Sequence, residues 1–221
     1  MLTRRDSTRG MTLVEVVIGL TLFVAFASSA FLAIEASASS YRTETAAAHL
    51  DFLARQALDD VADHLRAADF DSITPPPLVA PSSASSLDFQ GALGFQNGAV
   101  EWGPVERLTF EPDPADPEDG LDNDSDGLVD EGRLVWIENP ELPGERRAVL
   151  CSHVSAALEG EILGNGVDDN QNGLIDERGF CVEFTGERAI ARITLERADA
   201  TGRVIRQSSI RTVTPRNTPE E

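Results

Sequence analysis

Hydrophobic and polar positions along the chain fall into three regimes. The first is a continuous apolar run. From Val16 to Ile34 there is no charged residue, and a helix rising ~1.5 Å per residue over such a run covers roughly the ~30 Å hydrocarbon thickness of a bilayer. The second regime, residues 35–70, contains no Pro or Gly and is rich in Ala. It places Leu50, Ala54, Leu58, Val61 and Leu65 at steps of three and four, which draws one apolar face on a helix. Together the two predict one long helix from about Thr12 to about Ala68, its first half in lipid and its second half laid against a domain. Asp51, Arg55, Asp59, Asp60, Asp63 and Arg66 form the solvated back of that second half. The helix must stop before Pro75-Pro76-Pro77, because proline supplies no amide donor and biases the preceding residue towards extended geometry.

In the third regime, after a Pro-, Ser- and Ala-rich linker over 71–86, the period changes to two. The segments 86–95, 105–110, 133–138, 146–154, 180–184, 189–197 and 203–213 read as strands. Successive strands with no helix between them imply an antiparallel sheet, and its apolar face needs a cover. The second half of the helix is the available one. The predicted class is α+β: a long N-terminal helix, transmembrane in its first half, packed on an antiparallel β domain at 87–215 and followed by a tail at 216–221.

A chain of 221 residues has room for one anchor helix and one domain with a real core. Charge narrows the partners. Acidic residues outnumber basic ones 38 to 18, and every basic one is Arg. That balance argues against nucleic acid and anionic lipid as partners of the domain, and is compatible with bound cations. Cys151 and Cys181 both lie beyond the apolar run. In an oxidising compartment they can pair, closing a loop worth roughly 3–4 kcal/mol; two buried free thiols are the alternative. His49, His64 and His153 are scattered, and no nucleophile elbow, zinc-protease motif or phosphate loop is present. The chain reads as a non-enzyme.

The flanks of the apolar run are specific. A ten-residue leader carries Arg4, Arg5 and Arg9 against Asp6 and ends in Gly10; Met11 follows, and Glu15 is the only charge at the head of the run. The positive leader stays in the cytoplasm and sends the rest outward. A carboxylate so near the start of a membrane helix is costly unless a cationic group meets it. Gly10-Met11-Thr12-Leu13-Val14-Glu15 resembles the processing site of type IV prepilins and type II secretion pseudopilins. The resemblance implies a leader at 1–10 removed by prepilin peptidase between Gly10 and Met11, N-methylation at Met11, a transmembrane segment at 11–34 and an amphipathic periplasmic half at 35–70. It makes Glu15 the residue that neutralises the terminal amine of a neighbouring subunit during assembly. It also implies a pilin-like fold, a single pass of the inner membrane with a periplasmic domain, and other pilin or pseudopilin subunits as partners through the N-terminal helix.

Further along, Arg107–Phe110, Leu134–Ile137, Val149–Val154 and Arg211–Asn217 are similar in order and character to the J-type pseudopilins and W-type minor pilins. Glu15 counts against the K-type tip subunit, which as a family lacks that glutamate. A secretory signal cut at Ala36-Ser37-Ala38 is the competing export reading, but its apolar region would be too long and would carry a charge. A membrane-anchored, calcium-dependent binding or adhesion protein that never enters a filament is the competing function.

Two acidic segments between strands look like copies. Asp122-Asn-Asp124-Ser-Asp126-Gly127-Leu128-Val-Asp130-Glu131 is followed 46 residues later by Asp168-Asp-Asn170-Gln-Asn172-Gly173-Leu174-Ile-Asp176-Glu177. Oxygen-bearing side chains at alternate positions, then Gly, then an aliphatic residue, is how a short chain wraps a hard cation, and Ca2+ suits such an all-protein cage better than Mg2+. The expected ligands are Asp122, Asp124, Asp126 and the Leu128 carbonyl, closed by Asp130 or Glu131. In the second loop they are Asp168, Asn170, Asn172 and the Leu174 carbonyl, closed by Asp176 or Glu177.

The first half of each copy resembles an EF-hand loop, and the whole resembles the Asp-rich repeats of bacterial surface proteins and thrombospondin-type calcium repeats. Each departs from the EF-hand at its twelfth position, where Arg133 and Gly179 stand in place of a bidentate Glu. The predicted loops span 119–132 and 165–179. With Asn at two positions where the first copy has Asp, the second binds more weakly unless a Cys151–Cys181 link pre-forms it. Acidic hairpin loops that need no metal are the bland alternative.

Overall fold

The computed structural model describes residues 11–75, 82–199 and 201–216. The leader with Gly10, part of the linker and the tail from Asn217 lie outside them. The fold is α+β, one long helix and one antiparallel sheet. Helix α1 spans Leu13–Ala67, one residue inside each predicted limit. The chain divides into two compact units, Met1–Glu44 and Thr45–Glu221.

In the first unit the described chain beyond Met11 and Thr12 is all helix, and its large apolar side chains are exposed, among them Leu22, Phe23, Phe26 and Phe31. The helix is long and apolar enough to cross a membrane. Its start is a capping box: Glu15 Oε2 accepts the Thr12 N–H and hydroxyl, each at 2.9 Å, and the Glu15 N–H donates to Thr12 Oγ1 at 3.3 Å. The sequence leads one to expect a cationic partner for Glu15. Within the chain its carboxylate has local hydrogen-bond partners, because a Thr at the cap and a Glu three residues on satisfy each other's orphan donors.

In the second unit α1 buries Leu50, Ala54, Ala57, Leu58, Val61, Ala62 and Leu65. The alanines among them let the helix backbone approach the sheet. After a short 3-10 turn at Phe70–Ser72 come β1 (Ser82–Ala84), β2 (Ser86–Gln96), β3 (Ala99–Pro112), β4 (Gly132–Glu138), β5 (Arg146–Val154), β6 (Phe180–Thr185), β7 (Arg188–Ala198) and β8 (Val204–Val213). Their order is β1-β6-β7-β5-β4-β3-β2, with β8 also on β7. Every pairing is antiparallel. Alternation supplies the core: Leu87 and Phe89, Phe180, Val182 and Phe184, and Ala189, Ala191, Ile193 and Leu195 join the buried helix face.

Two segments differ from expectation. The linker is structured where described: Thr74 bridges Asp88 on β2, at one end of the strand order, and β1 pairs with β6 at the other. β3 begins six residues before the predicted strand, because Asn97 (φ 53°) and Gly98 (φ 83°) make a tight hairpin with β2.

One polar cluster ties helix to sheet. Glu106 Oε2 lies 2.7 Å from His64 Nδ1 and accepts the Trp136 indole N–H at 2.6 Å, and the His64 and Trp136 rings stack with centroids 5.2 Å apart. Burial pushes the Glu106 carboxyl upward, but the hydrogen bonds from His64 and Trp136 together with the His64 charge outweigh it and hold the group below its ordinary value.

Candidate metal centre

Both acidic loops leave the same end of the sheet, because Gly132 at the start of β4 pairs with Val154 at the end of β5. The first fills residues 113–131 and the second 155–179. Each is organised by side-chain oxygens that accept nearby amides, the way Asp and Asn build turns. In the first, Asp122 accepts the N–H groups of Ser125 (2.6 Å) and Gly127 (3.0 Å), and Asp126 accepts that of Leu128 (2.8 Å). In the second, Asp168 accepts those of Asn172 (3.1 Å) and Gly173 (2.8 Å), and Asn172 accepts that of Leu174 (2.9 Å).

The backbones are copies too. Ser125 and Gln171 have φ of 65° and 59°, Gly127 and Gly173 have 90° and 91°, and Asp130 and Asp176 both have 56°. At φ near 90° only glycine is comfortable, which is why that residue recurs at the sharpest point of each wrap. Leu128 and Leu174 are buried and pin each loop inward.

The structure brings the oxygen atoms of Asp122, Asp124 and Asp126 within 4.8 Å of one another, all three exposed. It separates the roles of the paired acids that follow. Asp130 accepts the amides of Asp119 and Gly120, and Asp176 those of Asn165 and Gly166. These aspartates are occupied as staples across ten or eleven residues of chain. Glu131 and Glu177 are different: each is 97 % buried.

Among the described residues, four buried side-chain atoms lack a hydrogen-bond partner, and three of them are Glu131 Oε2 and both carboxylate oxygens of Glu177. Burial, with the Asp116 and Asp126 carboxylates nearby, pushes Glu131 up to about 8. Burial first, then Glu161 and Asp168, raises Glu177 in the same way. Buried polar atoms are almost always satisfied. Two glutamates with unpartnered oxygens at equivalent places beside oxygen-rich wraps fit a hard cation, and they, rather than Asp130 and Asp176, have oxygens free to meet one.

Sequence reasoning missed the acids that anchor each loop from outside the repeat. Asp116 is fully buried, and its two oxygens accept the Asn123 and Asp130 amides at 2.7 Å each. Glu161 accepts those of Asn170 (3.4 Å) and Asp176 (3.1 Å). The offset is 46 residues inside the loops but 45 between these two acids, and one is Asp and the other Glu. A search for strict copies therefore passes over them.

The loops also touch. Arg178, next to Glu177, pairs with Glu118 of the first loop and lies 5.4 Å over the Phe110 ring.

The disulfide that the sequence allows is not formed. Cys151 and Cys181 are free and buried. Cys151, opposite Leu134, belongs to the helix-covered core. On β6 that core takes Phe180, Val182 and Phe184, so alternation turns Cys181 to the other face with Glu183. Burial pushes the thiols up to about 11 and about 12. Of the predicted processing residues, Met11 is exposed and Glu15 caps the helix.

Comparison of the chain with known protein families, characterised proteins and solved structures returns no match.

Proposed function

We propose that this chain is a non-enzymatic, membrane-anchored subunit of a pilin-type filament, a minor pseudopilin of type II secretion or a minor pilin of a type IV pilus. Its exported domain binds Ca2+ through the two acidic loops. One observation carries the reading: a charge-free run begins at a capped carboxylate, Glu15, and the same helix ends as the buried cover of a β domain. A signal peptide needs no such continuation, and a plain anchor needs no Glu15. In this reading Met11 is the methylated first residue after peptidase cleavage behind Gly10, and its amine meets Glu15 of an adjoining subunit. The domain faces the periplasm.

The cation supported by the loops is Ca2+, since the donors are carboxylate, amide and backbone oxygens with no nitrogen or sulfur. Asp122, Asp124, Asp126 and Glu131 hold one ion, and Asp168, Asn170, Asn172 and Glu177 the other. Bound Ca2+ would neutralise the clustered carboxylates and cross-link each loop to the strand after it.

The Glu15→Gln variant tests assembly cleanly, because glutamine keeps the capping box and loses only the charge. Expected are intact membrane insertion, a mature N-terminus at Met11 by mass spectrometry, and loss of incorporation into filaments. A retained leader, a terminus near Ser39, or normal incorporation of the variant would overturn the filament reading. Normal function of the variant would favour an anchored calcium-dependent binding protein.

A further inference from the structure

We infer that Asp116 and Glu161 are positioning residues for the two cation sites, so that each site is a module of about twenty residues, 113–131 and 158–177, rather than the ten-residue repeat visible in the chain. The inference rests on the cation reading above and concerns what shapes the sites.

Each acid sits in an equivalent frame. Asp113 N–H donates to Glu131 O and Asp116 N–H to Asp113 O; in the second loop Leu158 N–H donates to Glu177 O and Glu161 N–H to Leu158 O. A short turn hung on the backbone of the closing glutamate thus presents a carboxylate beneath the wrap. That carboxylate holds two amides at once. One belongs to the liganding stretch, Asn123 or Asn170, and the other to the residue just before the closing glutamate, Asp130 or Asp176. The two ends of the wrap are therefore tied to a single side chain, and moving it moves Glu131 or Glu177 relative to the aspartates that share the ion.

Length is matched to reach. Asp116 stands 14 residues before Asp130, and Glu161 stands 15 before Asp176. The loop with the extra residue has the side chain with the extra methylene. Asp116 and Glu161 also differ from their neighbours in being buried, whereas Asp122, Asp124 and Asp126 are exposed. Their oxygens are engaged by amides, and the unpartnered oxygens are those of Glu131 and Glu177. Buried outside the alternating wrap and tying its two ends, each acid is placed to orient the ligands from behind.

The test uses the full-length protein in detergent. Ca2+ binding is followed by calorimetry, and bound water is counted by Eu3+ luminescence lifetimes in H2O and D2O. Asp116→Asn is expected to weaken Ca2+ at the first site by roughly 10–100-fold, leave the second site unchanged, and keep the number of waters on the ion. Glu161→Gln should do the reverse. If Asp116→Asn does not accumulate as folded protein, Asp116→Glu keeps the charge but mismatches the reach, and the same selective weakening is expected.

Unchanged affinity in the variants would overturn the inference. So would one additional bound water, which would make Asp116 a ligand. So would joint weakening of both sites with a lower melting temperature in EGTA, which would make its role general support of the fold. A wild-type chain that binds no Ca2+ would remove the cation reading itself, a separate result.

Discussion

Replacing Glu131 by Gln should change the stability of this protein in opposite directions with and without Ca2+. Without the ion, Glu131 is a 97 % buried carboxylate with an unpartnered oxygen beside Asp116 and Asp126. A buried polar group left unpaired costs about 1–3 kcal/mol, more when charged. Glutamine has nearly the same shape and no charge, so in EGTA the variant should melt at or above the wild type. With the ion, in the proposed reading, the carboxylate closes the shell.

At free Ca2+ of about 100 times the dissociation constant, one filled site stabilises the folded state by ~2.7 kcal/mol. For a unit of the size of Thr45–Glu221, each kcal/mol moves the melting temperature by about 2–4 °C. The wild type should therefore gain ~5–10 °C per site, and Glu131→Gln should forfeit the first site's share while keeping the second's. Thermal unfolding of the full chain in detergent, followed by far-ultraviolet circular dichroism in Ca2+ and in EGTA, reads both signs. An equal loss in both buffers would refute the assignment of Glu131 as a closing ligand. No response of the wild type to Ca2+ or EGTA would refute the metal centre.

Acid should weaken the helix-to-sheet tie in the metal-free protein. Glu106 is held below its ordinary value of 4.5 in the folded state, so its stabilisation is present above that value and is lost as pH falls through the lower folded value. Acid titration of unfolding free energy should show a shallower fall below pH ~4.5 in Glu106→Gln. Gly179→Ala should prevent normal folding or cost at least ~1–3 kcal/mol, since its new Cβ would stand 1.8 Å from the Ser155 carbonyl oxygen. Urea unfolding of the purified variant measures the loss, and wild-type stability would count against the packing described at that loop exit. Cys151 and Cys181 should each take up one alkylating group only after unfolding, because burial hides both thiols and pushes them up to about 11 and about 12. Intact-mass analysis of unreduced protein would expose a disulfide if one forms.

Local pattern made much of this protein legible. The charge-free run and the three-and-four spacing of Leu50, Ala54, Leu58, Val61 and Leu65 required only neighbours within two turns, and α1 follows them to within a residue. Period-two runs located seven of the eight strands; β1 was missed because three residues of Ser and Ala carry no hydrophobic alternation and are strand only through pairing with β6. The Asn97-Gly98 turn is likewise a local signal, two residues with positive φ between paired strands.

In the loops, the sequence by itself determined the alternating oxygens, the obligatory glycines at 127 and 173, and the twofold repetition, since each depends on residues a few places apart. Which acid does what was decided by the tertiary structure. Asp130 and Glu131 are adjacent and chemically alike, yet one meets amides ten and eleven residues back while the other is buried with an oxygen unmatched. Cys151 and Cys181 look like a pair until strand alternation sends them to opposite faces of one sheet. A carboxylate or thiol acquires its role from the donors and the dielectric around it. Those surroundings are assembled by strands distant in the chain, so short-range pattern cannot name them.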